Sequence, residues 1–427
     1  MTDLDAHTDA ARSATAEPGR VDPARLDRLA EVAVKVGLNI QPGQDLILTA
    51  PVAALPLVRR VAVHAYRAGA GLVTPILADE QVILARYAEA RPDSFDHAAG
   101  WLFSGMAAAF GEGAARMAIA GDNPMMLAGQ DAEAVARANK ANAAAYRPAM
   151  ERITGFDINW SICAYPTAAW ARLVFPDLPE PEAVARLANA VFRASRLDGP
   201  DPVAAWAEHN ANLMARRRWL NDHDFQALHF RGPGTDLTVG LAEGHEWMGG
   251  ASTAKNGVTC NPNIPTEEVF TTPHALRCEG YVRATKPLSY MGTLIENIQV
   301  QFSQGVIVEA KATKGEAVLQ KMIASDEGAR RLGEVALVPH SSPISQSGIL
   351  FYNTLFDENA ACHIALGQCY AKCFRGGTSM GAEEIRQRGG NASIIHVDWM
   401  IGGPDTDIDG ITASGDRVPV FRKGEWA

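Results

Sequence analysis

Between Pro23 and about residue 220 the chain alternates helix-period and strand-like apolar segments, and this alternation restricts the fold more than any other feature. Leu26, Leu29, Val32, Val34 and Leu38 recur at near-helical spacing, and Gln41-Pro42-Gly43-Gln44 then turns the chain into a short apolar strand over residues 46–49. A helical stretch over residues 55–67 follows. After it come a strand at 72–77, a helix from about Glu80, and strand-like segments at 117–120 and 160–164. Helices interleaved with strands need crossover connections, so the strands are expected to lie parallel. Gly69-Ala70-Gly71 follows a helix and precedes a strand, the reverse of the order in which a dinucleotide phosphate meets a helix N-terminus, and reads as a plain turn.

A polar helical stretch ends near Arg216-Arg217-Arg218, which reads as a solvated helix end rather than a substrate clamp. Strands and turns then take over, at residues 237–241, 282–284, 298–302 and 306–312. The expected fold class is α/β. An N-terminal α/β domain with a mostly parallel sheet is expected over residues 21–220, and a C-terminal α+β catalytic domain with a mixed or antiparallel sheet over 221–427. With 427 residues, 47% of them hydrophobic, the chain can fill two cores. Residues 1–20 are polar, without an apolar period, and are expected to be a disordered tail.

A net charge of -10 offers no basic surface for a nucleic acid or an anionic membrane, and neutral or cationic ligands fit better. None of the six cysteines forms a C-x-x-C pair, and no N-terminal apolar stretch resembles a signal peptide. A cytoplasmic, reducing location is the expectation, with Cys369 and Cys373 read as buried thiols. No apolar run approaches the ~20 residues that span a bilayer.

Common hydrolase signatures are missing: there is no G-x-S-x-G, no P-loop and no H-E-x-x-H. His245-Glu246 runs on to Met248-Gly249-Gly250 without a second histidine, and reads as a turn or surface feature. Four other segments can carry chemistry. In the first, Pro262, Pro265 and Pro273 bracket Glu267 and Glu268 beside Val269-Phe270; a metal ligand and a turn with exposed acids are equally open. In the second, residues 332–339, Glu334 sits in a strand whose two faces are otherwise apolar, leaving ligand and salt bridge open. The third, from Asn353, reads as a helix capped around residues 357–359 and running to about Phe374. That would put His363 and Tyr370 on one face, with Glu358 at the helix mouth; His363 alone reads first as a core histidine. In the fourth, residues 393–400, a two-residue period aims His396 and Asp398 at the same side, as ligands or as a hydrogen-bonded pair. Glu268, Glu334, Glu358 and Asp398 bring four negative charges, and His363 and His396 two neutral nitrogens. Two divalent cations would balance them, with zinc, cobalt or manganese suiting the mixed donors.

T-E-E-V-F-T-T-P, L-G-E-V-A-L-V-P, N-T-L-F-D-E-N-A-A-C-H and H-V-D-W-M, in this order, resemble the M29 metallo-aminopeptidases. The likeness is strongest from about His229 onward and extends to L-N-I-Q-P-G-Q-D-L and W-S-I-C-A-Y-P in the first half. The resemblance implies metal ligands at Glu268, Glu334, Glu358, His363, His396 and Asp398, and a catalytic tyrosine at Tyr370. It also implies two divalent ions per chain (zinc, cobalt or manganese, with magnesium as a further option) and a homodimer with an enclosed active-site cavity. The expected activity is removal of N-terminal residues, mainly hydrophobic and with broad specificity, from peptides with a free N-terminus. A metal-activated water would attack, and Tyr370 would stabilise the oxyanion. Glu267 is a candidate general acid or base, against a plainer reading as a solvent-facing neighbour. The rival readings are a two-metal amidohydrolase or dipeptidase acting on a small amide, and a non-catalytic metal-stabilised peptide-binding protein.

Overall fold

The computed structural model describes residues 21–427, so the tail expected over residues 1–20 lies outside the described residues. Asp22 opens α1 (Pro23–Val32) by accepting from the Ala24 N–H at 2.9 Å, and Pro23 stands in the first turn, where a missing N–H costs nothing. A wider helical turn, Ala33–Leu38, carries on to Asn39, whose φ of 51° ends it. Helix and strand then alternate: β1 (Leu46–Pro51), α2 (Leu55–Arg67), β2 (Val73–Ala78), α3 (Glu80–Glu89), α4 (Gly100–Gly111), β3 (Ala115–Ala120), α5 (Ala132–Thr154), β4 (Trp160–Ala164), α6 (Ala168–Val174), α7 (Glu180–Ala194) and α8 (Pro202–His223). The four strands are parallel, as interleaved helices require, and lie in the order β2-β1-β3-β4. Gly69, at φ 96°, makes the α2–β2 turn over Pro42, as expected of a plain turn. The three arginines lie within α8, and the Arg216 guanidinium packs over the Trp426 ring at 5.0 Å. No described helix is long and apolar enough to cross a membrane, and all six cysteines are buried free thiols.

Beyond α8, apart from two short two-strand ribbons (Ser252–Thr253 with Thr259–Cys260, and Leu288–Tyr290 with Thr293–Ile295), the strands are β5 (Ala227–Gly232), β6 (Thr235–Leu241), β7 (Val269–Thr271), β8 (Pro273–Arg283), β9 (Gln299–Ser303), β10 (Val306–Lys311), β11 (Leu332–Leu337), β12 (His363–Gly367), β13 (His396–Met400), β14 (Asp407–Ile411), β15 (Arg417–Arg422) and β16 (Glu425–Trp426). They form two antiparallel sheets, an eight-stranded one in the order β10-β9-β8-β6-β5-β14-β15-β16 and a four-stranded one in the order β13-β12-β11-β7. The whole is α/β, parallel in its first half and antiparallel in its second, as the sequence implies.

The two antiparallel sheets share a core. Leu228, Phe230, Leu237 and Val239 of the larger sheet cluster with Val335, Ile364, Leu366 and Trp399 of the smaller. That uses one face of β11, β12 and β13. By the two-residue period the opposite face receives Glu334, His363, Ala365, His396 and Asp398.

The stretch from Asn353 departs from the expected single helix. It makes one helical turn, Thr354–Asp357, capped by Asn353, then a tighter turn, Glu358–Ala360. Ala361 is fully extended (φ -167°, ψ 166°), and β12 follows at once. All five residues of β12 are buried because both faces and both edges of this central strand are covered. Such a run carries no alternation, and over so short a length periodicity cannot tell it from buried helix. His363 and Tyr370 therefore do not share a helical face.

Candidate metal centre

Four ligand candidates come from three adjacent strands of the small sheet. Glu334 on β11 and Asp398 on β13 both stand opposite Ala365 of β12, whose methyl leaves room between the two carboxylates. His396 lies two residues from Asp398, opposite Gly367, and His363 lies two residues from Ala365 in the other direction. At Gly367 (φ 107°) a Cβ would fall 2.1 Å from the Ile395 carbonyl oxygen, so only glycine permits this pairing. Glu268 precedes β7 on the same sheet. Glu358 arrives from the far side: its turn is anchored by Leu355, Phe356 and Ala360, which belong to the core around α1, β1 and β3. Trp170 of α6 adds a 2.6 Å hydrogen bond from Nε1–H to the Phe351 carbonyl.

Glu334 is the pivot of the cluster. Its Oε1 is 3.8 Å from His363 Nε2, and its Oε2 is 3.5 Å from His396 Nε2. Glu268 Oε2 lies 3.2 Å from His363 Nε2, and Asp398 Oδ1 3.4 Å from His396 Nε2. Two triads result, Glu268–Glu334–His363 and Glu334–His396–Asp398, each with three donor atoms close enough to hold one cation, and they share Glu334. Both imidazoles are oriented by the backbone: His363 Nδ1 faces the Ala361 carbonyl at 3.1 Å and His396 Nδ1 faces the Gln368 carbonyl at 2.7 Å. A carbonyl only accepts, so Nδ1 carries a proton, and in the neutral ring each Nε2 keeps its lone pair for a cation among the carboxylates.

The residues fit a cation. His363 Nε2 and Glu268 Oε2 are buried, and neither makes a well-directed hydrogen bond among the described residues. Two facing acceptors of this kind are costly unless something positive lies between them. Without a cation, protons take that role. Burial lowers the proton affinity of His363, but Glu268 and Glu334 outweigh it and hold its pKa well above the usual imidazole range. Burial likewise opposes protonation of His396, yet Asp398 and Glu334 push its pKa up to about 9. Burial, then the neighbouring Glu268 and Asp398, raise Glu358 well above a normal carboxylate; burial also raises Glu334. Asp398 goes the other way: burial raises it, but the hydrogen bond from His396 together with the positive charges of His396 and His363 lowers it further.

Glu268, Glu334, Glu358, His396 and Asp398 line one cavity of about 720 Å³, bounded on its other side by Arg116, Trp160 and Ile162 of the parallel sheet. Tyr370 lines it too. Its ring stands 4.7 Å from the His396 ring and 6.3 Å from that of Phe270, reached through a loop rather than a helix. His245, of the His245-Glu246 pair, is a buried turn residue whose Nδ1 lies 3.0 Å from the Ala242 carbonyl.

Glu267 is neither solvent-facing nor turned toward the cavity. It is 4% exposed, and Arg196 donates to both its carboxylate oxygens at 2.6 and 2.8 Å. Its backbone N–H donates to Asn359 Oδ1 at 2.7 Å, tying the Glu268 segment to the turn that carries Glu358. A carboxylate locked in that pair is a poor proton shuttle. Arg196 and Asn359 lie 71 and 92 residues from Glu267, and no local pattern in the sequence announces either partner. Glu267→Gln is expected to lose about 3 kcal/mol of stability by removing one charge of a buried ion pair, read from chemical denaturation. The pH profile of activity should keep its shape, whereas loss of one limb of that profile would restore Glu267 as a proton shuttle.

Residues 23–426 match the family model described as thermophilic metalloprotease (M29). The chain is 54% identical over 401 residues to aminopeptidase T of Thermus thermophilus, covering 94% of this chain and 98% of that protein. It is 46% identical to aminopeptidase 2 of Geobacillus stearothermophilus, covering 94% and 97%. The solved structure of wild-type AmpT from Thermus thermophilus superposes with a TM-score of 0.90 at 52% identity, covering 95% of this chain and 99% of that one.

Proposed function

Because the chain belongs to the thermophilic metalloprotease (M29) family and is a metallo-aminopeptidase, a hydrolase, we propose that it works through two divalent cations held by Glu268, Glu334, Glu358, His363, His396 and Asp398. Its substrates are peptides with a free α-amine, with a preference for hydrophobic N-terminal residues that accords with the Met248, Phe270 and Trp160 side chains around the cavity. The observation that carries the two-cation reading is Glu334, which turns one oxygen to each triad. Four carboxylates match the charge of two dications, and the mixed nitrogen and oxygen donors favour zinc, cobalt or manganese over magnesium.

When bound, the cations lower the pKa of water enough to supply a nucleophile at neutral pH and polarise the first peptide carbonyl. The chain's own residues do the rest. The Ala361 and Gln368 carbonyls fix both imidazoles with Nε2 turned to the centre. Tyr370 stands over His396 as a hydrogen-bond donor for the developing oxyanion. The cavity walls confine the reaction to chain ends.

The test is metal removal. Chelation should abolish hydrolysis of peptides with a free N-terminus, and titration should restore it at two equivalents per chain, while N-blocked peptides stay uncut throughout. Restoration at one equivalent, or activity that survives chelation, overturns the reading. Metal affinity should also rise with pH. The metal-free His396 keeps its proton up to about pH 9, so below that pH binding must displace it, and acid weakens binding. Calorimetry in buffers of different ionisation enthalpy should record the proton released.

A further inference from the structure

The cavity that holds the centre also contains a lysine that the reaction does not use. Lys372 follows Tyr370 by two residues, and its Nζ stands 5.0 Å from the centre of the Phe270 ring and 5.4 Å from that of Tyr370. The rings hold the ammonium by cation–π attraction, and among the described residues no acceptor takes its N–H donors, which face the cavity. The cavity's carboxylates are engaged elsewhere. Glu268, Glu334 and Asp398 face the two histidines, Glu151 lies beside Arg147, and Glu358 lies within reach of the Asn359 amide. With the four ligand carboxylates balanced by two dications, as proposed above, the ammonium is a surplus positive charge on the wall next to the centre.

Its distance from the centre fixes what it can meet. The Tyr370 ring, 5.4 Å from Nζ, is 4.7 Å from the His396 ring, so the ammonium lies within about 10 Å of that ligand, the reach of roughly three extended residues. A peptide whose α-amine is at the centre brings its own terminal carboxylate to this distance only when it is very short. We propose that Lys372 receives the C-terminal carboxylate of di- and tripeptides, and so makes the enzyme selective for short peptides with a free C-terminus. The competing cation is Arg116, on the opposite wall, whose Nε is buried without a partner among the described residues. It would suit the carboxylate of a longer peptide.

The proposal rests on the α-amine being held at the metal centre, and the experiment separates the two readings. Tripeptides such as Leu-Gly-Gly are assayed as the free acid and as the C-terminal amide, on fully metal-loaded protein whose metal content is measured. Wild type should favour the acid by tenfold or more in kcat/KM, chiefly through KM, as a charge-assisted contact predicts. K372Q and K372M, the second keeping the stem over the rings, should bring the acid-to-amide ratio close to one, and K372R should retain the preference. With metal content intact, three results overturn the assignment: no acid preference in wild type, a preference that persists in K372Q, or equal losses on acid and amide. A preference that persists in K372Q but vanishes in R116Q moves the carboxylate to the other wall and overturns it as well. Loss of metal at two equivalents is a failure of the centre and shows in the elemental analysis, independently of these ratios.

Discussion

Glu334→Gln is expected to strip cation binding from both triads together and to lower kcat/KM by about a thousandfold or more. The substitution keeps the size of the side chain but removes the charge that faces His363 through one oxygen and His396 through the other. Each half of the centre then loses an anionic donor, whereas Asp398→Asn or Glu268→Gln should weaken only one half. Elemental analysis is the direct readout: the variant should hold far less than two equivalents, and single-triad variants about one. The melting temperature of the metal-free protein should be unchanged or raised, because the substitution neutralises one of four crowded buried carboxylates. That result would separate lost metal from lost fold. A Glu334→Gln protein that keeps two metal equivalents and near-normal turnover would show that the two triads do not share this residue.

The residues of the candidate centre were legible where the chemistry was locally awkward. Glu334 is a charge in a strand with two apolar faces, and the two-residue period aims His396 and Asp398 the same way; both features survive folding unchanged, because β11 and β13 stay strands. That β1 to β4 run parallel was legible for a similar reason, since strands interleaved with helices need crossover connections. What the sequence could not convey is tertiary. The run from His363 to Gly367 has no period because it is the central strand of a covered sheet, so its helical reading failed. Glu267 looks exposed beside a run of prolines until Arg196 and Asn359, remote in sequence, arrive to pair with it. The role of Arg116 and Trp160 as the far wall of the cavity likewise appears only once the parallel sheet is set against the ligand sheet. Local pattern reveals a residue that burial would penalise; only the fold reveals its partner.

Tyr370→Phe should lower kcat about a hundredfold or more while leaving KM and metal content near wild type. Removing one donor to a developing oxyanion costs about 2.7–4 kcal/mol of barrier. The phenylalanine ring can keep the contacts that position the tyrosine, against His396 at 4.7 Å and Phe270 at 6.3 Å, so the loss isolates the hydroxyl. Burial first, then the nearby Glu334 and Asp398, drive the phenol pKa well above its ordinary value in the metal-free protein. The hydroxyl therefore remains a donor throughout the neutral and mildly alkaline range. Bound cations would offset part of the carboxylate repulsion, but burial still favours the neutral phenol, so wild-type kcat should show no alkaline limb assignable to Tyr370 below about pH 10. The variant should reproduce the wild-type pH profile at a uniformly lower level. If the substitution instead releases metal, Tyr370 supports the ligand cluster rather than the transition state. If turnover is unchanged, the oxyanion finds its donor elsewhere in the cavity, and Tyr370 serves only to pack His396.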